Sequence, residues 1–199
     1  MIIYLHGFNS SPQSGEAQYL KQYLEVSGRG AEFACPQLPH RPDLAVAVAE
    51  AELARRGKIT LVGSSLGGFY ATWLAERHGV RAVLINPAID PHVSLRAYLG
   101  PQQGYHSGEP YELSEEHLQQ WEKLFVNRVH PERYLLLVET GDEVLDYRAA
   151  VRKYQGAKQV VVQGGDHTLA SFPEHIPPIL EFAGMDLTTS ASSRTNSLL

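Results

Sequence analysis

The feature of this sequence that most constrains its fold is a short glycine-serine turn, Gly63-Ser64-Ser65-Leu66-Gly67, between a predicted strand and a predicted helix. The strand is the apolar run Ile59–Val62, and a helical pattern follows the turn. In so tight a turn, side chains at Gly63 and Gly67 would collide with the neighbouring strand and helix. The central serine is held in a strained backbone conformation that lifts its hydroxyl above the carboxyl edge of a sheet. The candidate nucleophile is therefore Ser65 and not Ser64.

A glycine-serine turn of this kind has two other possible roles. A glycine-serine turn can simply connect a strand to a helix, and a glycine-rich turn at a helix start can bind a phosphate group. Neither the dinucleotide pattern G-x-G-x-x-G nor the phosphate-loop pattern G-x-x-x-x-G-K-[ST] fits, because Ser65 stands where a close-approach glycine is needed. The strand before the turn and the helix after it favour a catalytic serine.

Predicted strands and helices alternate along the chain, which is typical of a parallel sheet with helices on both faces. Six apolar runs of strand length predict the strands: Ile2–Leu5, Ala31–Cys35, Ile59–Val62, Ala82–Ile85, Tyr134–Val138 and Gln159–Val162. The helices are predicted from Ser11-Pro12 to Val26, over Asp43–Arg56, from Ser65 to Gly79, over Asp146–Tyr154 and over Pro173–Ala183. The predicted fold class is therefore α/β, with a six-stranded, mainly parallel sheet.

About 45 residues, Pro87–Pro131, separate the fourth and fifth predicted strands, where a simple crossover needs far fewer. This segment is predicted to be a small cap inserted into one domain over residues 1–184, with a turn-rich patch at Gly100–Gly104 and a helix over Ser114–Phe125. Its aromatic side chains could line a substrate pocket or equally pack the cap onto the body: Tyr98, Tyr105, Tyr111, Trp121 and Phe125. Residues 185–199 are rich in Ser and Thr and are expected to form a flexible tail.

Composition excludes several classes of protein. With 43% hydrophobic residues the 199-residue chain can bury a core, yet its longest apolar runs, such as Tyr134–Val138, are far too short to span a membrane. A net charge of −5, from 17 basic and 22 acidic residues, lacks the basic excess that nucleic-acid binding needs. The N-terminus resembles no secretory leader and Cys35 is the single cysteine, so a cytoplasmic location is expected. The oligomeric state is left open.

A serine nucleophile needs a histidine to take its proton and a carboxylate to orient that histidine, in the chain order Ser, Asp or Glu, His. Seven histidines follow Ser65, and only His167 lies just after the last predicted strand, in the run Gly164-Gly165-Asp166-His167. The glycines of this run can present an imidazole over the edge of the sheet. His167 is therefore the candidate base.

The candidate acid is Asp142, in the turn after the predicted strand Tyr134–Val138. Asp90 is the main rival, because a carboxylate that follows the fourth strand can also reach the histidine. Glu143 and Asp146 lie close to Asp142 in the sequence, and a helix cap is the more natural role for Asp146.

The negative oxygen of a tetrahedral intermediate needs two hydrogen-bond donors, which backbone amides can supply. One is predicted at Leu66, directly after the nucleophile, and the other at Phe8, in the His6-Gly7-Phe8 turn after the first strand. No H-E-x-x-H or paired C-x-x-C pattern occurs, so neither a metal nor another cofactor is expected. Cys35 is expected to be a small core residue rather than a nucleophile.

Several segments together resemble the YqiA-type family of small bacterial esterases. The likeness is carried by His6 to Pro12 (HGFNSSP), Pro36 to Pro39 (PQLP), Val62 to Leu74 (VGSSLGGFYATWL), Asn86-Pro87-Ala88 and Thr140 to Arg148 (TGDEVLDYR). The resemblance runs to about Gly184 and implies an α/β-hydrolase fold that begins at what is usually the third strand. It also implies a triad of Ser65, His167 and Asp142. Beside the histidine, Asp166 stands where the family pattern has an Asn.

The function that this resemblance implies is hydrolysis of acyl esters, with acyl-CoA thioesters as a further candidate substrate. The expected partner is then a small-molecule ester or thioester, and the expected intermediate is a covalent acyl-enzyme. The alternative is a catalytically silent protein of the same fold that binds a ligand without turnover. A complete triad argues against that alternative.

Overall fold

The computed structural model describes residues 1–55 and 57–185, and its centre is a parallel β-sheet. The strands are β1 (Ile2–Leu5), β2 (Phe33–Ala34), β3 (Thr60–Ser64), β4 (Arg81–Ile85), β5 (Gly100–Gln103), β6 (Pro110–Leu113), β7 (Tyr134–Glu139) and β8 (Lys158–Val162). Six of them form one sheet in the order β2-β1-β3-β4-β7-β8, in which every neighbouring pair runs parallel. The predicted α/β class with a six-stranded sheet is confirmed.

Helices cover both faces of this sheet. They are α1 (Gly15–Val26), α2 (Pro42–Ala54), α3 (Leu66–His78), α4 (Pro91–Ser94), α5 (Glu115–Lys123), α6 (Tyr147–Lys153) and α7 (Phe172–Phe182). On one face, Tyr4, Val62 and Val83 share an apolar cluster with α1 and α7, while Leu61 and Leu84 share a second cluster with α2, α3, α5 and α6. Strands that are buried on both faces read as uninterrupted apolar runs, which is why the sequence predicts them well.

The carboxyl ends of the parallel strands meet at one edge of the sheet. The register pairs Leu5 with Gly63 and Ser64 with Ile85, so the loops after β1, β3 and β4 start side by side. The loops after β7 and β8 follow at the same edge. Open α/β sheets bind their ligands at this edge, and all three candidate catalytic residues follow strands that end there.

The segment between β4 and β7 forms α4, the antiparallel hairpin of β5 and β6, and α5. The helix predicted over Ser114–Phe125 is present as Glu115–Lys123, and Trp121 anchors it, since this side chain is fully buried and its Nε1 donates to the Tyr70 hydroxyl at 2.8 Å. The hairpin is a finding that the turn-rich patch Gly100–Gly104 does not predict. Gly and Pro have little intrinsic preference for strands, and pairing with the more distant β6 decides the conformation.

Two predicted elements begin more than one residue away from the predicted start. Helix α1 starts at Gly15 and not at Ser11-Pro12, because Ser11 instead forms a turn in which its Oγ accepts from Gln13 N at 3.0 Å. The second strand is reduced to Phe33–Ala34 because Gly30–Glu32 form a 3-10 turn.

Part of two further predictions lies outside the described residues. These are Arg56, at the end of the second predicted helix, and residues 186–199 of the expected tail. Met185, the first residue of that tail, is buried.

We expect Gly67→Ala to destabilise the fold strongly. A Cβ on Gly67 would collide with the backbone carbonyl of Leu5, which strand pairing holds in place. Overpacking typically costs about 1–3 kcal/mol, and a clash with fixed backbone belongs at or beyond the upper end of this range. Urea titration gives the free energy of unfolding. The control is Gly15→Ala, since a Cβ on Gly15 meets no atom within 4 Å, and an equal loss in both variants would contradict the steric argument.

Candidate active site

Ser65 stands in the turn between β3 and α3, in the strained conformation that the sequence predicts. Its φ of 53° and ψ of −120° lie in a region that residues with a side chain rarely adopt. Backbone hydrogen bonds hold it there: Ser65 N donates to Ile85 O at 2.9 Å, and Ser65 O accepts from Gly68 N at 2.9 Å and from Ala88 N at 3.0 Å. A Cβ on Gly63 would collide with the backbone at the start of α3, so the glycine is required.

The loop after β1 approaches Ser65 closely. A Cβ on Gly7 would lie 3.2 Å from Ser65 Cβ and 3.7 Å from its Oγ. His6 supports this loop: its Nε2 accepts from Leu38 N at 3.0 Å, which leaves the proton on Nδ1, 3.1 Å from Gly7 O. Burial lowers the pKa of His6, which favours the neutral ring that this pair of bonds requires.

Phe8 and Leu66, the two predicted backbone donors, both border the cavity beside Ser65. Leu66 opens α3, so its N–H belongs to the first turn of the helix, where N–H groups have no carbonyl partner within the helix. The positive end of the helix dipole lies at the same point. Negative charge that develops next to Ser65 Oγ would therefore meet a favourable potential.

Asp142, His167 and Ser65 form one row of hydrogen bonds across the edge of the sheet. Nδ1 of His167 lies 3.0 and 2.9 Å from the two carboxylate oxygens of Asp142, and Nε2 lies 3.0 Å from Ser65 Oγ. The side chain of Asp142 is 1% exposed and that of His167 is 19% exposed, so the row leads from the interior towards the solvent. Because a carboxylate only accepts, the proton belongs on Nδ1, and Nε2 faces the serine hydroxyl as an acceptor.

Hydrogen bonds keep Asp142 ionised. Burial by itself would raise the pKa of this carboxyl, but the bond from His167 and two bonds of 2.8 Å from Leu145 N and Val144 N hold the pKa below its ordinary value. An ionised carboxylate can fix the orientation of the imidazole and stabilise its cation.

The other three candidate carboxylates have other surroundings or partners than the imidazole ring of His167. Asp90 is exposed and stands at the N-cap of α4. Glu143 accepts from the backbone N of His167 at 3.1 Å, and Asp146 caps α6 by accepting from Arg148 N at 3.0 Å. Of the four, the structure brings Asp142 to the imidazole ring.

A buried carboxylate that the sequence does not predict, Glu139, holds the loop of His167. Glu139 is the last residue of β7 and is 1% exposed. Its carboxylate accepts four bonds of 2.6–3.1 Å from the loop: from Asp166 N, Ala170 N, Ser171 N and Ser171 Oγ. Burial by itself would raise the pKa of Glu139, but these donors hold it below its ordinary value. The only signal in the sequence is a charged residue at the end of an apolar run.

Asn86 ties the same loop to β4 and β7. It is buried at a φ of 38°, its Nδ2 donates to Asp166 O at 3.1 Å and His167 O at 3.0 Å, and its Oδ1 accepts from Glu139 N at 3.0 Å. The carboxylate of Asp166, where the chain departs from the family pattern, accepts from Thr168 N and Thr168 Oγ1 at 2.9 and 2.6 Å. The backbone of His167 is therefore held independently of its ring.

A cavity of about 530 Å³ opens beside Ser65. Of the aromatic residues predicted to line a pocket, Tyr98 and Tyr105 line this one. Tyr111 lines a neighbouring cavity of about 490 Å³, and the two cavities share Phe8 and Leu66 among their walls.

The structure favours the packing role for Trp121 and Phe125. Trp121 is buried in the core below the insertion, and Phe125 is 40% exposed, with its ring 5.6 Å from that of His92 and 4.3 Å from Lys153 Nζ. Neither is among the residues that line the two cavities. An apolar face at helical spacing looks the same in a sequence whether it packs on the body or borders a pocket.

Within the described residues, the thiol and the possible metal-binding groups give no competing site. Burial raises the pKa of the Cys35 thiol to about 12, so it carries little thiolate. Within residues 1–55 and 57–185, no group of three or more His, Cys, Asp or Glu side chains is arranged to hold a metal ion. No helix in this part of the chain is both long and apolar enough to cross a membrane.

The sheet order and the strand-to-helix turn at Ser65 define an α/β-hydrolase fold. Alpha/beta hydrolase domain-containing protein 10 from mouse shares it with a TM-score of 0.73 at 16% identity, over 92% of this chain and 89% of that one. Monoacylglycerol lipase from Paleococcus ferrophilus shares it with a TM-score of 0.63 at 17% identity, over 93% of this chain and 94% of that one. At such identities the likeness shows the fold.

The chain belongs to UPF0227, an uncharacterised protein family whose model matches residues 1–184. The UPF0227 protein of Shewanella sp. (strain ANA-3) is 24% identical over 188 residues, which cover 92% of this chain and 98% of that protein. The family resemblance of the sequence is confirmed by these matches.

We expect Glu139→Gln to have a lower free energy of unfolding than the wild type at neutral pH. When the pH is lowered, the free energy of unfolding should fall less in the variant than in the wild type. Each carboxylate oxygen of Glu139 accepts two hydrogen bonds. In either orientation of a glutamine side chain, its NH₂ group would therefore face two donors, which costs about 1–3 kcal/mol of folding stability. The folded pKa of Glu139 is lower than its ordinary value of 4.5. The stabilisation that the ionised carboxylate provides is therefore complete above pH 4.5 and is lost as the pH falls through the folded pKa.

Urea unfolding at neutral pH and at several values below pH 4.5 measures this difference. Glu132→Gln, at an exposed position, is the matched control. A difference in the free energy of unfolding between wild type and Glu139→Gln that stays constant with pH would contradict the role of the ionised carboxylate.

Proposed function

We propose that this chain is a serine hydrolase that cleaves carboxylic esters through a covalent acyl-enzyme. The single observation that carries the proposal is the row of Asp142, His167 and Ser65, whose serine end borders a cavity of about 530 Å³. A serine hydroxyl is a weak nucleophile, and a base within hydrogen-bond reach that is itself oriented by a carboxylate is what activates it. The shared fold with a protein named as a lipase adds support.

In the first half of the reaction, Ser65 Oγ attacks the ester carbonyl carbon while Nε2 of His167 takes the hydroxyl proton. The carbonyl oxygen becomes negative and is stabilised by the backbone N–H groups of Phe8 and Leu66. The tetrahedral intermediate then collapses: the bond to the alcohol oxygen breaks, and His167 returns its proton to that oxygen. Asp142 stabilises the imidazolium that exists between these two steps.

In the second half, a water molecule replaces the alcohol. His167 takes one proton from the water as its oxygen attacks the acyl carbon, and the same two amides stabilise the new oxyanion. The bond to Ser65 Oγ breaks, the serine regains its proton from His167, and the carboxylic acid leaves. Acyl-CoA thioesters enter the same scheme with sulfur as the leaving atom.

The insertion over residues 87–131 is proposed as a cap on a single hydrolase domain over residues 1–184. Its hairpin is bonded to the loop that carries Phe8: Tyr105 N donates to Asn9 O at 2.8 Å, Tyr111 OH to Asn9 Oδ1 at 2.7 Å, and Asn9 Nδ2 to Gln102 Oε1 at 3.1 Å. These bonds support a second role for the cap, which is to hold the loop of the proposed amide donor Phe8 in place. Asn9 stands next to Phe8 and has a positive φ of 55°, a conformation that needs such support.

We expect Ser65→Ala to lower kcat/KM for short aryl esters by about 10⁴-fold or more, since the nucleophile is lost. The melting temperature should stay close to that of the wild type, because the variant keeps the strained backbone and removes only one oxygen. Ser27→Ala, at the end of α1, is the matched control. Retained ester hydrolysis in Ser65→Ala would refute the mechanism, whereas a wild type that binds esters without turnover would favour the silent ligand-binding alternative.

We expect Asp142→Asn to lower kcat by about 10⁴-fold, because an amide at this position holds the imidazole in the wrong tautomer. Asp90→Asn is the matched comparison, as Asp90 is exposed at the N-cap of α4. Steady-state kinetics on one aryl ester measures both variants. A larger loss in Asp90→Asn would show that the acid is assigned wrongly.

A further inference from the structure

The cap and the body of the domain meet at two histidines. His40 lies in the loop between β2 and α2, and His117 lies in the first turn of α5. Nε2 of His117 is 3.1 Å from Nδ1 of His40, and the ring centroids are 5.4 Å apart. His117 is buried and His40 is exposed. We call these two residues the histidine pair, and neither takes part in the reaction steps above.

The bond between the two rings requires both of them to be neutral. Ser114 N donates to Nδ1 of His117 at 3.2 Å, so His117 carries its proton on Nε2 and donates it to Nδ1 of His40. The bond from Ser114 N belongs to a capping box at the start of α5. The third helical residue of such a box is ordinarily Glu or Gln, which accepts through a side-chain oxygen. A histidine at this position accepts only while its Nδ1 is unprotonated.

Protonation of either ring brings two donors face to face. On His117 a proton on Nδ1 would face the N–H of Ser114, and on His40 a proton on Nδ1 would face the N–H of the other ring. Two cationic rings would also repel each other at this distance. Burial, and next the neighbouring His40, lowers the pKa of His117 below its ordinary value of 6.5. The contact therefore stabilises the docked cap fully above pH 6.5 and is lost as the pH falls through the lowered pKa.

The charged residues around the histidine pair are largely bonded to one another. Arg41 reaches Glu116 of α5 at 2.7 Å and Asp43 of α2 at 3.4 Å, and Arg96, after α4, reaches Glu115 at 2.6 Å. Arg41 disfavours a cation on the ring of His117 and Glu116 favours one, so their effects oppose each other. Further charged residues of α5 and β6 are exposed: Glu112, Glu122 and Lys123.

Other titratable groups lie close to the histidine pair on neighbouring elements. Burial raises the pKa of the Tyr70 and Tyr111 phenols, so both stay neutral. His6 and the exposed Glu109 line the same cavity as His40, and burial lowers the pKa of His6. His92 of α4 packs its ring on that of Phe125, just beyond the C-terminal end of α5. His92 is therefore the cap histidine against which the role of the pair is tested.

The histidine pair is connected to the loop of the proposed amide donor Phe8. The ring of Tyr111 stacks on that of His40, with centroids 4.3 Å apart and an angle of 15° between the planes. Tyr111 OH donates to Asn9 Oδ1 at 2.7 Å, and Asn9 follows Phe8 in the chain. A shift of α5 relative to His40 would therefore disturb the ring on which Tyr111 rests and loosen its bond to the loop.

We propose that the histidine pair is a pH-sensitive latch between the cap and the body. While both rings are neutral, the latch keeps α5 docked and the Phe8 loop in place. When either ring is protonated, the latch opens and ester hydrolysis slows. The effect on hydrolysis rests on the proposed function, whereas the opening of the latch does not depend on it.

Hydrogen exchange of the full chain, followed by mass spectrometry between about pH 5 and about pH 8 and corrected for intrinsic rates, measures the latch directly. Protection of the α5 amides should be constant well above pH 6.5. Below it, protection should fall by up to about tenfold for each pH unit, since opening takes up a proton. The amides of α3 are the internal reference and should keep their protection. Constant protection of α5 over the whole range would overturn the inference.

Three variants locate the proton. His117→Gln keeps an acceptor for Ser114 N and has no ring to protonate, so its α5 protection should be nearly independent of pH. The matched controls are His92→Gln in α4 and His78→Gln at the end of α3, where Nε2 of His78 bonds to Glu50 at 2.9 Å. Both controls should show the pH dependence of the wild type. A wild-type pH dependence in His117→Gln, or its loss in His92→Gln, would overturn the inference.

An NMR titration of the wild type tests the same contact without a substitution. The amide signal of Ser114 should shift together with the ring signals of His117, with a midpoint below pH 6.5. A Ser114 signal that does not follow the ring, or a midpoint above pH 6.5, would contradict the neutral capping bond.

The pH dependence of kcat/KM on one aryl ester tests the connection to the active site. Any titration of His167 is common to the wild type and His117→Gln, so the ratio of their kcat/KM values removes it. The ratio of wild type to variant should be level above pH 6.5 and fall by about tenfold towards about pH 5. A constant ratio would refute the connection to the Phe8 loop while ester hydrolysis stands. If neither protein hydrolyses any ester or thioester, the proposed function fails, and hydrogen exchange still decides whether the latch exists.

Discussion

The close packing of three backbone segments at one point supports every other feature of the site. The turn after β3 carries Ser65 at a positive φ, and glycines on either side let it press against the end of β1 and the start of α3. The segment after β4 clamps the same residue through bonds to Ile85 O and from Ala88 N. Strain of this kind costs about 1–3 kcal/mol and persists only when the surroundings enforce it. Parallel pairing of buried strands supplies that enforcement.

Rigid positioning extends from the proposed nucleophile, Ser65, to its proposed base, His167. Glu139 and Asn86 stand at the ends of β7 and β4 and bind the backbone of the His167 loop, while Asp142 binds its ring. The loop therefore has its position fixed by one set of contacts and its ring orientation by another. On the opposite side, His6 and the cap hairpin fix the loop of Phe8. Every group proposed to act on the substrate thus rests on a strand end.

The sequence predicts the sheet, the turn at Ser65 and the three side chains of the row, because their signals lie within short stretches of sequence. Buried parallel strands have continuous apolar runs, and a serine between two glycines has one demanding geometry. Glu139 and Asn86 could not be found in this way, because their partners are loop backbone groups that only the folded chain brings near. Trp121 and Phe125 were indistinguishable from pocket residues for the same reason, since the face that a helix presents depends on what it packs against. The hairpin of β5 and β6 likewise depends on pairing between distant segments and not on strand preference.

The most direct measurement of the central claim is intact-protein mass spectrometry after exposure to a serine-directed fluorophosphonate, followed by peptide mapping. This reagent reports whether one hydroxyl is activated, without requiring the natural substrate. The account predicts a single adduct per chain, located on Ser65, whose rate of formation falls sharply when the imidazole of His167 is removed. An unlabelled chain, or an adduct on Ser64 or another hydroxyl, would contradict the assignment of Ser65 as an activated nucleophile.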